Sequence, residues 1–220
     1  MMKIKICGLK TPADVEKVNR YKPEYIGFVF ANTKRFVTDE QASEMKKLLD
    51  KEIKAVGVFV DEPIEHVISL CNRGIIDVVQ LHGAESEDYI REIKQKTDTT
   101  VIKATKVQTA QQVAQLMSKE ADYMLFDTYK KGALGGTGER FSLEILEQSL
   151  NTLRAQGKQV KPYFLAGGLD CRNVTEVLCQ IAGSSECVAF DVSTVVETDG
   201  VKDEAKIRQF IESVREMKES

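Results

Sequence analysis

Strand-like and helix-like stretches alternate from one end of the chain to the other. Ile4-Lys5-Ile6-Cys7 alternates apolar and charged residues with the period of a strand. Thr11-Pro12 follows, a cap residue and a proline at a first helical position, after which Val15 and Val18 share one helical face. The run from Tyr25 to Phe30 reads as a buried strand, and Ala31 to Val37 as a polar loop. Thr38 with Gln41 forms a capping-box pattern before a helix burying Met45, Leu48 and Leu49. The third strand runs from Ala55 to Val60; Asp61-Glu62-Pro63 then opens a helix with Ile64, Val67, Ile68 and Cys71 on one stripe.

The pattern repeats through the second half. Asp77 to Leu81 is a fourth strand ending in His82-Gly83, and a helix from about Ser86 carries Tyr89, Ile90 and Ile93. Val101 to Ala104 is the fifth, followed by a helix with Ala110, Val113, Ala114 and Met117. Tyr123 to Asp127 is the sixth, before a glycine-rich loop from Lys131 to Gly138 and a helix burying Leu143, Leu146, Leu150 and Leu153. Pro162 to Ala166 is the seventh, ending in Gly167-Gly168, with Val174, Val177, Leu178 and Ile181 on its helix. Cys187 to Val192 is the eighth, and Ile207, Phe210, Ile211 and Val214 mark the last helix.

Strand–helix alternation of this kind suits a (β/α)₈ barrel, known also as a TIM barrel, with parallel strands inside and helices outside; it also suits an open doubly wound sheet. The placement of polar residues chooses between them. Cys7, Gln80, His82, Asp127 and Asp191 lie at or just after strand C-termini. A barrel brings those ends to one mouth, whereas an open sheet spreads them along an edge, so the barrel is expected. No Pro-, Gly- or Ser-rich linker divides the chain, and residues 1–220 read as a single domain.

Composition narrows the function classes. Hydrophobic residues make up 42% and charged residues 30%, as in ordinary soluble proteins. With 31 basic and 34 acidic residues the net charge is -3, which gives no footprint for nucleic acid. No apolar run approaches the ~20 residues of a membrane span, and Met1-Met2-Lys3-Ile4-Lys5 lacks the apolar core of a signal peptide. Five widely spaced cysteines with no CxxC pair argue against disulfides and for a reducing compartment. The expectation is a cytoplasmic protein working on small molecules.

Free cysteines are usually small core residues, and that reading suits Cys71, Cys171, Cys179 and Cys187, the first and third within helices, Cys171 beginning a helix and Cys187 a strand. Cys7 differs because it ends a strand and precedes Gly8, a residue that would let a ligand approach the backbone. A thiolate there can take a proton or attack carbon. Asp127 closes an apolar strand; the plain alternative is a loop acceptor, but desolvation would raise its pKa and make it a proton donor. Gly167-Gly168 after the seventh strand and Ser193-Thr194 after the eighth stand where barrels commonly bind phosphate. Arg35, in the loop after the second strand, suits a substrate carboxylate, although exposed basic pairs such as Lys34-Arg35 are usually only solvated. Gly135-Gly136-Thr137-Gly138 is not a P-loop, since no Lys-Ser/Thr follows it. With two histidines in all and no two-metal pattern of acids, neither metal nor cofactor is expected.

In order along the chain, Lys5-Ile6-Cys7-Gly8, Gln80-Leu81-His82-Gly83, Phe126-Asp127-Thr128, Gly135-Gly136-Thr137-Gly138, Leu165-Ala166-Gly167-Gly168-Leu169 and Asp191-Val192-Ser193 resemble the motifs of the phosphoribosylanthranilate isomerases of tryptophan biosynthesis. The resemblance implies a (β/α)₈ barrel and a cofactor-free Amadori rearrangement of N-(5-phospho-β-D-ribosyl)anthranilate to 1-(2-carboxyphenylamino)-1-deoxyribulose 5-phosphate. Such an enzyme is an intramolecular oxidoreductase of the aldose–ketose type, taking a phosphorylated small molecule as substrate and acting as a monomer or homodimer. By the same resemblance Asp127 is the general acid and Cys7, as a thiolate of lowered pKa, the general base. Arg35 would hold the anthranilate carboxylate, Gln80, His82 and Asp191 would line the pocket, and Gly167, Gly168, Ser193 and Thr194 would hold the phosphate.

This chain reads Thr33-Lys34-Arg35 where the family usually has Ser-Pro-Arg, and Ser193-Thr194-Val195-Val196-Glu197 where it has Ser-Ser-Gly-Val-Glu. It reads Ser142-Leu143 after Phe141 where Asp-Trp is common, a packing change. Val195 in place of a glycine near the phosphate would crowd the backbone or forbid a positive φ. The rival functions are another phosphosugar isomerase or epimerase on the same barrel, and a non-catalytic barrel that binds a phosphate ligand.

Overall fold

Eight parallel strands form, and the eighth hydrogen-bonds back to the first. That pairing, with Lys5 in register with Asp191 and Ile6 with Val192, excludes the open sheet. A computed structural model describes residues 2–107, 109–127 and 143–216 of the protein. In chain order the elements are β1 (Lys3–Cys7), α1 (Pro12–Tyr21), β2 (Tyr25–Val29), α2 (Asp39–Leu48), β3 (Lys54–Phe59) and α3 (Ile64–Asn72). Then come β4 (Val78–Leu81), α4 (Glu87–Lys96), β5 (Thr100–Lys106), α5 (Ala110–Met117), β6 (Tyr123–Asp127) and α6 (Leu143–Ala155). The last unit pairs are β7 (Tyr163–Ala166) with α7 (Val174–Gln180), and β8 (Cys187–Val192) with α8 (Glu204–Arg215). Between β8 and α8 lie a 3₁₀ turn (Thr194–Val196) and a two-stranded hairpin of β9 (Glu197–Thr198) and β10 (Val201–Lys202).

Local chemistry fixes the helix starts. Thr11 accepts from the Asp14 amide while Asp14 reaches back to the Thr11 amide, and Thr38 with Gln41 does the same at α2. Each box satisfies two amides that the first helical turn leaves without partners.

The strands sort their side chains by alternation. One set, including Tyr25, Val29, Val56, Val58, Val78, Ile102, Ala104, Leu125, Phe164, Ala166 and Ala189, fills the barrel interior. Within it Tyr25 and Tyr123 meet the ring of Phe164 edge-on at 5.4 and 5.6 Å. The opposite set, including Ile4, Ile6, Ile26, Phe28, Phe59, Val79, Leu81 and Phe126, packs outward against the helices. Cys7 belongs with the interior set, so Lys5, two residues earlier on the same strand, faces inward as well.

Some details differ from the sequence reading. Leu48 is exposed because α2 ends there, and Leu49, in extended backbone, turns into the core in its place. Cys179 is exposed, so it is no core residue, and Cys171 lies in a turn three residues before α7 instead of beginning it. Val177 and Leu178 are only partly buried. The β9–β10 hairpin was not expected, since its strands of two residues each leave no periodic pattern.

Candidate active site

Cys7 ends β1 with its neighbour across the ladder, Gly27, in register. A Cβ on Gly27 would sit 2.7 Å from the Cys7 sulfur and 3.1 Å from its Cα, so the absence of that carbon is what lets the thiol occupy its place. Gly27→Ala is therefore expected to displace the thiol and to destabilise the fold by about 1–3 kcal/mol, as overpacking does. Chemical denaturation reports the second effect, and a changed rate of Cys7 alkylation in the folded protein reports the first.

One step deeper on the same face, the Lys5 ammonium meets Asp191 at 2.8 Å, with Lys5 fully buried and Asp191 8% exposed. The residues stand opposite each other across the β1–β8 ladder. Burial works against the Lys5 charge, but Asp191 and Cys7 outweigh it and hold the ammonium above the usual lysine value. Burial pushes the Asp191 carboxyl up, with Lys5 opposing. The 2.8 Å contact, with Cys7 as a further neighbour of the ammonium, makes the two an ion pair.

The thiol itself departs from the expected lowered pKa. Burial pushes Cys7 up, Lys5 and Lys202 pull it down, and Asp191 adds to the rise. The pocket is dry enough that two nearby cations moderate the desolvation without overcoming it.

Asp127 lies half-buried at the end of β6, in register with Ala166 of β7, which is in register with Asp191 of β8. Asp127, Asp191 and Lys5 thus belong to consecutive neighbours across β6, β7, β8 and β1. Gln80 faces inward from β4, in register with Val58 and Ile102. Its Oε1 and the Oδ1 of Asp191 are buried acceptors with no hydrogen-bond partner among the described residues. Such groups suit a ligand that brings donors, as sugar hydroxyls do.

His82 follows β4, its backbone N–H donating to the Phe59 carbonyl at 2.8 Å. Burial pushes its imidazole down, toward the neutral form. The loop it starts is held from outside the barrel. Lys103 of β5 donates to the Gly83 carbonyl at 2.7 Å and pairs with the buried Glu85 at 2.8 Å. Glu85 accepts from the amides of Asp61 and Gly83, and Asp61 in turn accepts from Ala84 at 2.6 Å. Asp61 holds a left-handed φ of 50°, and any Cβ on Gly83 would fall 2.4 Å from its Oδ1.

Arg35 comes to the mouth along Gly8. Gly8 has φ of 85°, and the space its Cβ would fill is taken by the Arg35 side chain, whose Cδ would be 2.3 Å away. The glycine therefore makes room for Arg35, where the sequence suggested room for a ligand. Arg35 grips Glu197 by two hydrogen bonds of 2.9 Å, and Lys202 binds the same carboxylate at 2.7 Å. Burial works against the Glu197 charge, but these two cations hold its carboxyl down at about 2. Lys202 also donates to the Ser193 carbonyl, and the Ser193 hydroxyl donates to the Cys7 carbonyl at 2.9 Å.

Gly167 and Gly168 follow β7 with φ of 89° and 65°, a left-handed pair that glycine adopts without strain. The Asn173 side chain donates to the Gly168 carbonyl at 2.8 Å and fixes that turn. Thr194 is exposed at the start of the 3₁₀ turn. Thr128 and Gly135-Gly136-Thr137-Gly138 lie outside the described residues, as do Phe141 and Ser142. No three His, Cys, Asp or Glu side chains converge as a metal set among the described residues.

The arrangement offers a thiol and a carboxyl group on strands facing a common interior, with an arginine that grips a carboxylate and a glycine turn at the rim. A family model described as N-(5'phosphoribosyl)anthranilate (PRA) isomerase matches residues 4–213. The chain belongs to this family. It is 42% identical to the N-(5'-phosphoribosyl)anthranilate isomerase of Lachnoclostridium phytofermentans over 214 residues, 96% of each chain. Among solved structures, the phosphoribosyl anthranilate isomerase of Thermotoga maritima superposes with a TM-score of 0.81 at 29% identity, over 98% of this chain and all of that one. A phosphoribosyl anthranilate isomerase in complex with reduced 1-(o-carboxyphenylamino)-1-deoxyribulose 5-phosphate superposes with a TM-score of 0.78 at 27% identity, over 98% and 100% of the two chains.

Val195, where the resemblance led to glycine being expected, is accommodated simply. Val195 sits in the 3₁₀ turn, its φ is not positive, and its side chain lines a groove of about 270 Å³ formed with Asp170, Arg172, Gln209 and Phe210. That groove lies between the loop after β7 and α8, and neither Cys7 nor Asp127 borders it. Lys5, Lys103, Glu85, Glu197 and Lys202 support the site and were missed as site residues. The available signal was a lysine inside an apolar strand run, as in Ile4-Lys5-Ile6 and Ile102-Lys103-Ala104.

Proposed function

We propose that this phosphoribosylanthranilate isomerase works in tryptophan biosynthesis with Asp127 as its acid and Cys7 as its base. The observation that carries the residue roles is the placement of Cys7 and Asp127 on the inward face at the ends of β1 and β6, around the buried Lys5–Asp191 pair. Asp127 in its protonated form gives its proton to the furanose ring oxygen as the C1–O bond breaks. The nitrogen lone pair closes the C1=N bond, leaving the open-chain Schiff base. Cys7 as thiolate takes the proton from C2, and the electron pair of that C–H bond moves to C1=C2 and neutralises the iminium. The enolamine then loses its C2 hydroxyl proton and gains a proton at C1, giving the ketose.

C1 is reduced and C2 oxidised within one molecule, so no external electron carrier enters the balance. This makes the reaction an intramolecular oxidoreduction of the aldose–ketose type. Lys5 and Lys202 supply the positive charge that a thiolate needs in a dry pocket. His82, neutral by burial, offers a hydrogen bond without competing as a cation. Arg35 receives the aryl carboxylate, and the orphan acceptors on Gln80 and Asp191 receive the sugar hydroxyls. The phosphate rests at Gly167-Gly168 and Ser193-Thr194, where a left-handed glycine pair without side chains leaves the backbone open to an anion. The protein acts in the cytoplasm on this soluble substrate.

Purified protein is expected to remove the anthranilate-type fluorescence of phosphoribosylanthranilate faster than the substrate decays on its own. A signal that persists once spontaneous decay is subtracted overturns the assignment.

A further inference from the structure

An arginine side chain has two edges that can take a carboxylate with paired hydrogen bonds, one formed by Nε and Nη2, the other by Nη1 and Nη2. In this protein Glu197 occupies the first: Nε donates to Oε1 and Nη2 to Oε2, each at 2.9 Å. Nη1 has no partner among the described residues, so the second edge stays open. The rest of the side chain is equally constrained, since its Cδ fills the space left by Gly8.

The charges around this contact do not cancel. Arg35 and Glu197 alone would be a neutral pair with little attraction for an anion. Lys202, 1% exposed, adds a second cation at 2.7 Å from Oε1 of Glu197; burial pulls its pKa down and Glu197 opposes, and as an ammonium it makes two cations to one carboxylate. Lys202 also donates to the Ser193 carbonyl, and Ser193 donates to the carbonyl of Cys7. The carboxylate-binding arginine, the turn after β8 and the strand bearing Cys7 are thus tied into one hydrogen-bonded unit.

We propose that Glu197 and Lys202 are positioning residues for the substrate carboxylate: Glu197 fixes the Arg35 fork by one edge so that the other meets the aryl carboxylate, and Lys202 keeps the cluster net positive. The proposal rests on the reading that Arg35 receives that carboxylate. It also assigns a role to a glutamate that would otherwise repel the substrate's own negative charge.

The test compares two unreactive ligands, reduced 1-(o-carboxyphenylamino)-1-deoxyribulose 5-phosphate and its counterpart with plain phenyl in place of carboxyphenyl. Their dissociation constants give a carboxylate preference for each variant. Glu197→Gln and Lys202→Met are each expected to cut that preference at least about tenfold, the loss of one charge-assisted contact. In turnover of Glu197→Gln, KM should rise by a larger factor than kcat falls; Lys202→Met also removes a cation that draws the Cys7 thiol down, so its kcat falls as well and the ligand preference is its readout. Glu197→Asp keeps the anion but shortens its reach by one methylene, and an intermediate preference is expected; it also serves if Glu197→Gln does not fold. A preference unchanged in these variants overturns the proposal, as does tighter binding of the carboxylated ligand to Glu197→Gln, which would make Glu197 a competitor for Arg35. A wild-type protein with no preference between the two ligands overturns the Arg35 reading itself, and the proposal with it.

Discussion

Lys5→Met is expected to destabilise the fold by about 3–5 kcal/mol and to move the activity profile toward alkaline pH. The first effect follows from burial. Lys5 is fully enclosed and Asp191 nearly so, and removing one member of a buried pair leaves the other charge uncompensated. Methionine matches the lysine stem in length, so lost packing contributes little. The double variant Lys5→Met/Asp191→Leu should recover much of the loss, because it removes the stranded charge as well. Urea denaturation of the single and double variants checks this; equal stability of the two would mean that packing around Lys5, and not its charge, is what the fold needs.

The pH effect follows from the thiol. Burial already pushes Cys7 up, and Lys5 is the strongest influence pulling it down. Without Lys5 the thiol pKa rises further, a smaller fraction is thiolate at neutral pH, and full activity is reached only at higher pH. The sign would be opposite if Lys5 acted mainly by keeping Cys7 protonated. Rates of Cys7 alkylation against pH, in wild type and Lys5→Met, separate the two.

Cys7→Ala and Asp127→Asn are each expected to lower turnover by roughly 10²–10⁴-fold, the range over which a positioned acid or base contributes. Each removes one proton-transfer group and leaves the rest of the pocket standing. Cys7 is half-buried at a strand end and its alanine variant loses one sulfur from the rim; Asp127, half-buried, makes no ion pair among the described residues. Both variants should therefore unfold as cooperatively as the wild type. A cysteine that served only as packing would show the reverse, a stability change with activity preserved.

The strand–helix order was legible because parallel barrel strands are enclosed on both faces and read as apolar runs, such as Tyr123-Met124-Leu125-Phe126. The polar residues at or near the ends of those runs mark the mouth, which is why Cys7, Gln80, His82, Asp127 and Asp191 could be placed there from sequence. Lys5 was hidden for a physical reason. Alternation in Lys3-Ile4-Lys5-Ile6 places the lysines on the face opposite the isoleucines, but in a closed barrel that face is the interior and not the solvent. Glu197 was hidden by distance, since its bond to Arg35 joins residues 162 positions apart. Gly8 shows the same limit: the sequence says that a side chain is absent there, and only the fold says that Arg35 uses the space. The lowered thiol pKa was expected from function, and the burial that opposes it depends on packing that no motif records.

The account turns on Cys7 as the base that takes the C2 proton. Its most direct test is a single-turnover experiment with enzyme in excess of phosphoribosylanthranilate, following the anthranilate-type fluorescence in wild type and Cys7→Ala at equal concentrations of folded protein. The account predicts rapid loss of signal with wild type and a loss slowed by roughly 10²–10⁴-fold with Cys7→Ala. Loss at a near wild-type rate in Cys7→Ala would contradict it.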